Sequence, residues 1–412
     1  MLAKVLVVGI NYRPETTGIA PYTTGLAEHL AASGHRTTVL TGFPHYPAWR
    51  LDPGEHRVRS VEQLQGVRVL RRRHYVPRSQ SALRRGAYEA TFLLQGLLSR
   101  PERPDVVLGI SPSLSGGVLA RLYAARAHAP YGLVIHDLMA PAARQSGIRG
   151  GRRVARMTAS LERWAAAKAT AVAIVSESFR PYLNELGVPD RRIMPLPNWV
   201  HVALPTGDRD AVRERFGWPS TTTVVLHAGN MGLKQGLEQV VEAARRADET
   251  RADVLYVLVG DGSQRGALES LADGVSRIQF LPFQPEEDLP DVLGAADILL
   301  VSELASVVNM SLPSKLTSYF AVGRPVLAAV PDQGSTAAEV RRSGGGLVIP
   351  VGDPDGLNEA VANLRTGKGR AEALGTAGRH YASETLGETA AMTRVDQLLE
   401  RLITSKRNGV AE

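Results

Sequence analysis

The sequence predicts an α/β protein of two Rossmann-like domains, each a parallel sheet with helices on both faces, with the strand ends opening onto a central cleft. Three observations carry this reading. A chain of 412 residues is too long for one hydrophobic core and suits two domains of roughly 200 residues each. Short apolar, β-branched runs alternate with helical segments along its whole length, which is the pattern of parallel strands buried on both faces. The alternation pauses once, at the proline-punctuated stretch Met194-Pro195-Leu196-Pro197-Asn198-Trp199 and on to Leu204-Pro205-Thr206-Gly207-Asp208, and then restarts.

The first domain is expected over residues 1–200, with strands at 5–8, 37–40, 67–70, 106–109, 132–135 and 171–175. Helices fill the gaps. One covers residues 21–32 and stops at Ser33-Gly34, where glycine can end a helix. The proline-rich stretch is the expected linker. The second domain, residues 201–383, repeats the alternation with strands at 223–227, 254–259, 278–281, 298–301, 325–330 and 346–349. A terminal segment, residues 384–412, carries a long helix over about 384–404. In an open parallel fold of this kind, ligands lie at the carboxyl ends of the strands.

Composition narrows the function. Hydrophobic residues make up 44% and charged residues 22%, ordinary values for a globular chain. There are no cysteines, which excludes disulfides, cysteine-ligated zinc, iron–sulfur clusters and thiol nucleophiles. No charged-then-apolar leader precedes the first strand, and no apolar run is long enough to span a bilayer, so the expected location is cytoplasmic. A net charge of +7 calls for an anionic partner. Arg68, Arg71, Arg72, Arg73, Arg78, Arg84 and Arg85 crowd one short region, followed by Ala90-Thr91-Phe92-Leu93-Leu94. Such a basic, partly amphipathic stretch fits the surface of an anionic membrane, and equally fits a solvated face. No nucleic-acid partner is expected.

One segment combines these themes. Ser311-Leu312-Pro313-Ser314-Lys315-Leu316 reads as a helix start, with Ser311 as N-cap and Pro313 where a missing N–H does no harm. Lys315 then sits in the first turn, where a cation is unfavourable unless an anion is bound by the free helix amides. The alternative is an ordinary surface lysine. In Gly229-Asn230-Met231-Gly232-Leu233-Lys234-Gln235-Gly236, glycines allow close backbone approach to a phosphate and Lys234 supplies charge. Gly260-Asp261-Gly262 is a second glycine turn, which a positive φ alone would explain. His136-Asp137 leaves a strand at its carboxyl end, a position shared by ligand-facing and purely structural histidines.

The segment Pro313-Ser314-Lys315-Leu316, followed by Gly323-Arg324-Pro325-Val326, resembles a block of the family 4 nucleotide-sugar glycosyltransferases. Gly9-Ile10-Asn11-Tyr12-Arg13-Pro14-Glu15-Thr16-Thr17-Gly18 and Pro44-His45-Tyr46-Pro47-Ala48-Trp49 resemble blocks of the same family, most closely its colanic-acid and exopolysaccharide subgroup. The resemblance implies the GT-B fold, with an acceptor-binding first domain, a nucleotide-sugar-binding second domain and a terminal helix that packs back on the first. It implies a glycosyltransferase acting with retention and without metal. Its co-substrate would be a UDP- or GDP-linked sugar, and its acceptor a glycan, a lipid-linked saccharide or a small natural product.

The same resemblance assigns residues. Lys234 and Lys315 would carry the leaving diphosphate, and His136 would meet a sugar hydroxyl. Gly18, Asn230, Gly232, Gly260, Asp261, Phe283, Pro313, Ser314 and Leu316 would line the donor. Asn11, Tyr12, Glu15 and Asp137 would shape the acceptor side. One departure stands out. Where many members carry Glu-x7-Glu, this chain has Met310 and Ser318, which leaves Glu303 as the substitute carboxylate. Catalysis would then rest on positioning and on charge stabilisation at the diphosphate. Two other readings compete: a nucleotide-sugar epimerase, and a sugar-nucleotide-binding protein without turnover. A dinucleotide enzyme is disfavoured because the first turn, Gly9-Ile10-Asn11-Tyr12, lacks the Gly-x-Gly-x-x-Gly fingerprint.

Overall fold

The computed structural model describes residues 2–78, 81–145 and 151–408. The last four residues of the expected terminal segment, 409–412, lie outside the described residues. The chain divides into two compact units. The first comprises Met1–Asn198, Asn309–Leu312 and Thr389–Glu412, and the second Trp199–Val308 and Pro313–Glu388.

The first unit is built on eight strands: β1 (Lys4–Val8), β2 (Arg36–Gly42), β3 (Arg59–Leu64), β4 (Val67–Arg72), β5 (Val106–Ile110), β6 (Tyr131–Ile135), β7 (Ala171–Ile174) and β8 (Ile193–Pro195). Their order is β3-β4-β2-β1-β5-β6-β7-β8, parallel except for the antiparallel β3–β4 pair. Central strands such as β5 are buried throughout, which is why they read as unbroken apolar runs. Two strands are additions to the expected set. β3 alternates buried and exposed positions at the sheet edge, and β8 lies inside the stretch expected to be linker, adding a last parallel strand beside β7. The chain leaves this unit only after Asn198.

The second unit holds β9 (Thr223–Ala228), β10 (Val254–Val259), β11 (Ile278–Leu281), β12 (Ile298–Ser302), β13 (Val326–Ala329) and β14 (Gly346–Ile349). All six are parallel, in the order β11-β10-β9-β12-β13-β14. Each unit therefore has one point where the strand order reverses, β1/β5 in the first and β9/β12 in the second. Ligands of open α/β sheets bind at such points.

The helix Glu388–Asn408 belongs almost wholly to the first unit. His29 meets Asp396 at 2.8 Å, Lys406 meets Asp105 at 2.8 Å, and Leu398 and Leu402 are fully buried. Among the described residues, no helix is long and apolar enough to cross a membrane.

The arginine-rich region is not one solvated face. Arg71 is 3% exposed, with its guanidinium on Glu62 and on the Arg13 carbonyl at 2.7 Å. Arg72 bonds Ser99, and Phe92 lies in the core. Arg68, Arg78 and Arg84 are exposed, as are Leu83, Leu94 and Leu98.

Candidate active site

In the second unit the reversal point is built around a histidine. Every residue of β9 is buried, and His227 has no exposed surface. Its Nδ1 donates to the Leu300 carbonyl of β12 at 3.2 Å, which leaves Nε2 as a lone pair. That lone pair accepts from the Lys315 ammonium at 2.9 Å. Burial, and then the charge of Lys315, hold the imidazole pKa well below its ordinary value, so His227 is neutral. Lys315 retains some exposed surface, yet desolvation pulls its pKa down to about 7, with Glu303 opposing. Burial likewise pushes the Glu303 carboxyl up to about 7, against a 2.9 Å bond from Thr336 and the charges of Lys315 and Lys234.

Two glycine turns press together above this trio. Gly229 donates to the Val259 carbonyl at 2.8 Å, and Met231 to the Asp261 carbonyl at 2.8 Å. Gly260 has φ +136°, and a Cβ there would lie 2.0 Å from the Gly229 carbonyl oxygen. Gly229 has φ +124°, and a Cβ there would stand 3.4 Å from the Lys315 Nζ. Glycine at both places lets the backbone close over the ammonium. Gly232 donates to the Gln235 side chain at 3.1 Å, while Asn230 and Asp261 are exposed. Lys234 is exposed on the 3-10 turn Leu233–Gln235, and its carbonyl accepts from the Leu304 amide at 2.9 Å. That bond brings Lys234 beside Glu303. Phe283 is 51% exposed just beyond β11.

Several expected roles change here. The helix begins at Lys315, not at Ser311, and spans Lys315–Val322 with Ser314 as a cap that makes no side-chain bond. Ser311 instead forms an isolated antiparallel bridge with Asp137, and Met310 accepts from the Leu138 amide at 2.8 Å, so this stretch pairs with the chain after β6 and is not yet helical. Lys315 remains in the first turn. Leu316 is core, and its amide donates to the Pro313 carbonyl at 3.2 Å, so neither its side chain nor its N–H faces a ligand. Glu303 is engaged by Thr336 and buried, which makes it an electrostatic neighbour of Lys315 and not an open carboxylate for sugar hydroxyls.

In the first unit, Gly18 has φ +68°, and a Cβ would lie 3.0 Å from the Tyr46 ring. Glu15 is buried. One of its oxygens accepts from the amides of His45 at 2.8 Å and Tyr46 at 2.9 Å, and the other from Asn11 at 2.9 Å. Tyr12 is 1% exposed. Glu15 and Tyr12 thus fix the loop from inside and present no side chain to an acceptor. His136, after β6, donates from Nδ1 to Asn198 Oδ1 at 2.9 Å and stacks on Tyr22 at 5.6 Å. Its pKa falls to about 4 through burial, so it is neutral with Nε2 as an acceptor. Asp137 adjoins it, half-buried.

His227 and Asn198 were not singled out from sequence. His227 reads as the tail of an apolar strand, and its one signal is being the sole polar ring in a buried run. Asn198 hides in the proline stretch. Among the described residues, no group of three or more His, Asp or Glu is placed to hold a metal ion.

Comparison with known proteins assigns each half of the chain to a family. Residues 17–199 match the family described as glycosyl transferase 4-like domain, and residues 208–381 the family of glycosyl transferases group 1. The chain is 31% identical over 401 residues to WcaI of Escherichia coli K12, named as a colanic acid biosynthesis glycosyl transferase. The match covers 93% of this chain and 96% of that protein. A sucrose-phosphate synthase from Thermosynechococcus elongatus superposes with a TM-score of 0.76 at 18% identity, covering 98% and 99% of the two chains. HepE of Anabaena, solved with UDP-glucose, gives 0.68 at 17% identity, covering 97% and 100%. The shared fold is GT-B.

Proposed function

Because the chain belongs to the family 4 glycosyltransferases and is a glycosyl-transferring enzyme, we propose that it moves a sugar from a nucleoside-diphosphate donor to a hydroxyl acceptor, with retention and without metal. The observation that carries the donor half is the Lys315 ammonium, held on His227 beneath the Gly229 turn with Lys234 nearby. A desolvated cation beside close-approaching backbone is complementary to a diphosphate. The exposed Phe283 and the Gly260 turn flank the nucleoside side, and Ser314 opens the helix whose first residue is Lys315.

The reaction breaks the bond between the sugar anomeric carbon and the donor's phosphate oxygen, and forms one to the acceptor oxygen on the same face. The acceptor proton passes to the departing phosphate oxygen. The protein supplies charge at that oxygen through Lys315 and Lys234, and supplies orientation through His136. The His136 Nε2 lone pair accepts a sugar hydroxyl and is too weakly basic to abstract a proton. This division suits a site lacking the Glu-x7-Glu pair.

The first unit is the acceptor side in this reading. The likeness to WcaI supports a polysaccharide or lipid-linked acceptor, and exposed Arg68 and Arg84 with Leu83, Leu94 and Leu98 support contact with an anionic membrane. Mixing the protein with a panel of UDP- and GDP-sugars and saccharide acceptors, in excess EDTA, should release nucleoside diphosphate from one donor. Proton NMR of the product should show the donor's anomeric configuration. Nucleotide-sugar binding without release for any acceptor would favour a binding protein. Loss of release on adding EDTA, restored by magnesium, would overturn metal independence.

A further inference from the structure

A cavity of 370 Å³ in the first unit is lined by Trp49, Arg50, His56, Arg73, Tyr75 and Arg78. Among the described residues, none of the three guanidiniums has a carboxylate partner within salt-bridge distance. Arg73 donates to the Glu55 carbonyl at 2.6 Å, which holds it in place without neutralising it. The wall also carries two acids: Asp52, which accepts from the Gly54 amide at 2.8 Å, a bond that leaves its charge in place, and Glu55, whose carboxylate takes up the Arg57 guanidinium at 2.5 Å and also feels the charge of Arg73. Three arginines without a salt-bridge partner face one charged Asp52 and a Glu55 already paired with Arg57, which leaves the cavity an excess of positive charge that an anion relieves.

Trp49 gives a second, independent sign. It has φ +48°, a left-handed conformation that is uncommon and strained for a bulky residue. Packing enforces it. The Arg85 guanidinium lies 5.5 Å from its ring, and the rings of His45, Tyr46 and Tyr88 surround it at 6.0, 5.9 and 5.7 Å. The result holds an indole at the cavity wall. Tyr46 also touches the Gly18 loop, so the cavity adjoins the segment assigned to the acceptor side.

We propose that this cavity binds the phosphate or diphosphate group of the glycosyl acceptor, with Arg50, Arg73 and Arg78 on the oxygens and Trp49 against the neighbouring sugar ring. This deepens the proposed function and rests on it for the word acceptor, while the anion site itself is testable alone. The acceptor class is then a phosphate-bearing saccharide and not a neutral glycan.

Inorganic diphosphate titrated calorimetrically into the full-length protein at low salt should reveal two classes of site. Arg50→Gln/Arg78→Gln should abolish one, weakening it roughly tenfold per guanidinium lost, and Lys234→Ala/Lys315→Ala the other. Arg73→Gln should weaken the first site as well. Both Arg50 and Arg78 are exposed, so thermal unfolding of the double variant should match wild type. An unchanged isotherm in the double arginine variant would overturn the proposal. So would loss of sedimentation with phosphatidylglycerol vesicles while diphosphate binding stays intact, because the arginines would then serve a lipid surface. An arginine-dependent diphosphate site in a protein that transfers no sugar would leave this site standing and sink the proposed function.

Discussion

The Lys315–His227 contact sets how the site responds to pH. A lysine that donates to a neutral histidine in a desolvated turn loses its own proton near pH 7. His227 on β9, Glu303 after β12 and Lys234 on the adjoining turn are the charged or titratable groups around it. Only Glu303 favours the ammonium, and Glu303 is itself held partly protonated near neutrality. A diphosphate stabilises the protonated lysine, so binding above pH 7 must take up a proton. Nucleoside-diphosphate affinity should therefore be steady below pH 7 and fall above it, by up to about tenfold per unit. Calorimetry in buffers of different ionisation enthalpy should register the proton. A flat affinity from pH 6.5 to 9 with no proton uptake would contradict the assignment. His227→Gln, which keeps a polar group at the strand end but removes the ring lone pair, should move the fall to a different pH.

In the proposed reading the two glycine turns are the elements that shape the donor side, and they fail in a predictable way. Gly260→Ala puts a Cβ 2.0 Å from a backbone oxygen at φ +136°, so the β9 and β10 turns must separate. Donor binding should be lost and the melting temperature lowered. Gly266→Ala lies in the helix Arg265–Leu271 with nothing within 4 Å of the new Cβ, and should stabilise by up to about 1 kcal/mol without touching binding. Differential scanning calorimetry of both variants checks the pair. The same elements show what sequence reveals. Strands such as Val254–Val259 were legible because burial on both faces demands continuous apolar residues. The glycine turns were legible because positive φ demands glycine. β3 was not, since an edge strand alternates, and β8 was not, since three residues ending in proline look like linker. Side-chain partners were least legible. Glu15 reads as an acceptor-side residue until the amides of His45 and Tyr46 are seen to fold over it, and Ser311 as a cap until Asp137 claims its backbone.

At the scale of the whole molecule, the chain returns to its first unit through the helix Glu388–Asn408. Val395, Leu398, Leu399 and Leu402 are buried there, and Leu402 approaches Gly132 on β6. Burying such side chains is worth about 1.5–3 kcal/mol each, comparable in sum to the stability of a domain. Truncation before Thr389 should lower the unfolding temperature of the first unit far more than that of the second, as followed by hydrogen exchange of β1 and β9. Equal protection of both strands in the truncated protein would show the helix to be dispensable.

The central claim is that a glycosyltransferase without the usual acidic pair relies on a desolvated cation, Lys315, at the donor's diphosphate. Lys315→Gln tests it most directly, because glutamine can still donate to His227 while removing the charge. With the active nucleotide sugar, kcat/KM should fall by a factor corresponding to roughly 2–3 kcal/mol of lost transition-state stabilisation. The unfolding temperature should hold. Wild-type kcat/KM in the folded Lys315→Gln enzyme would contradict the account.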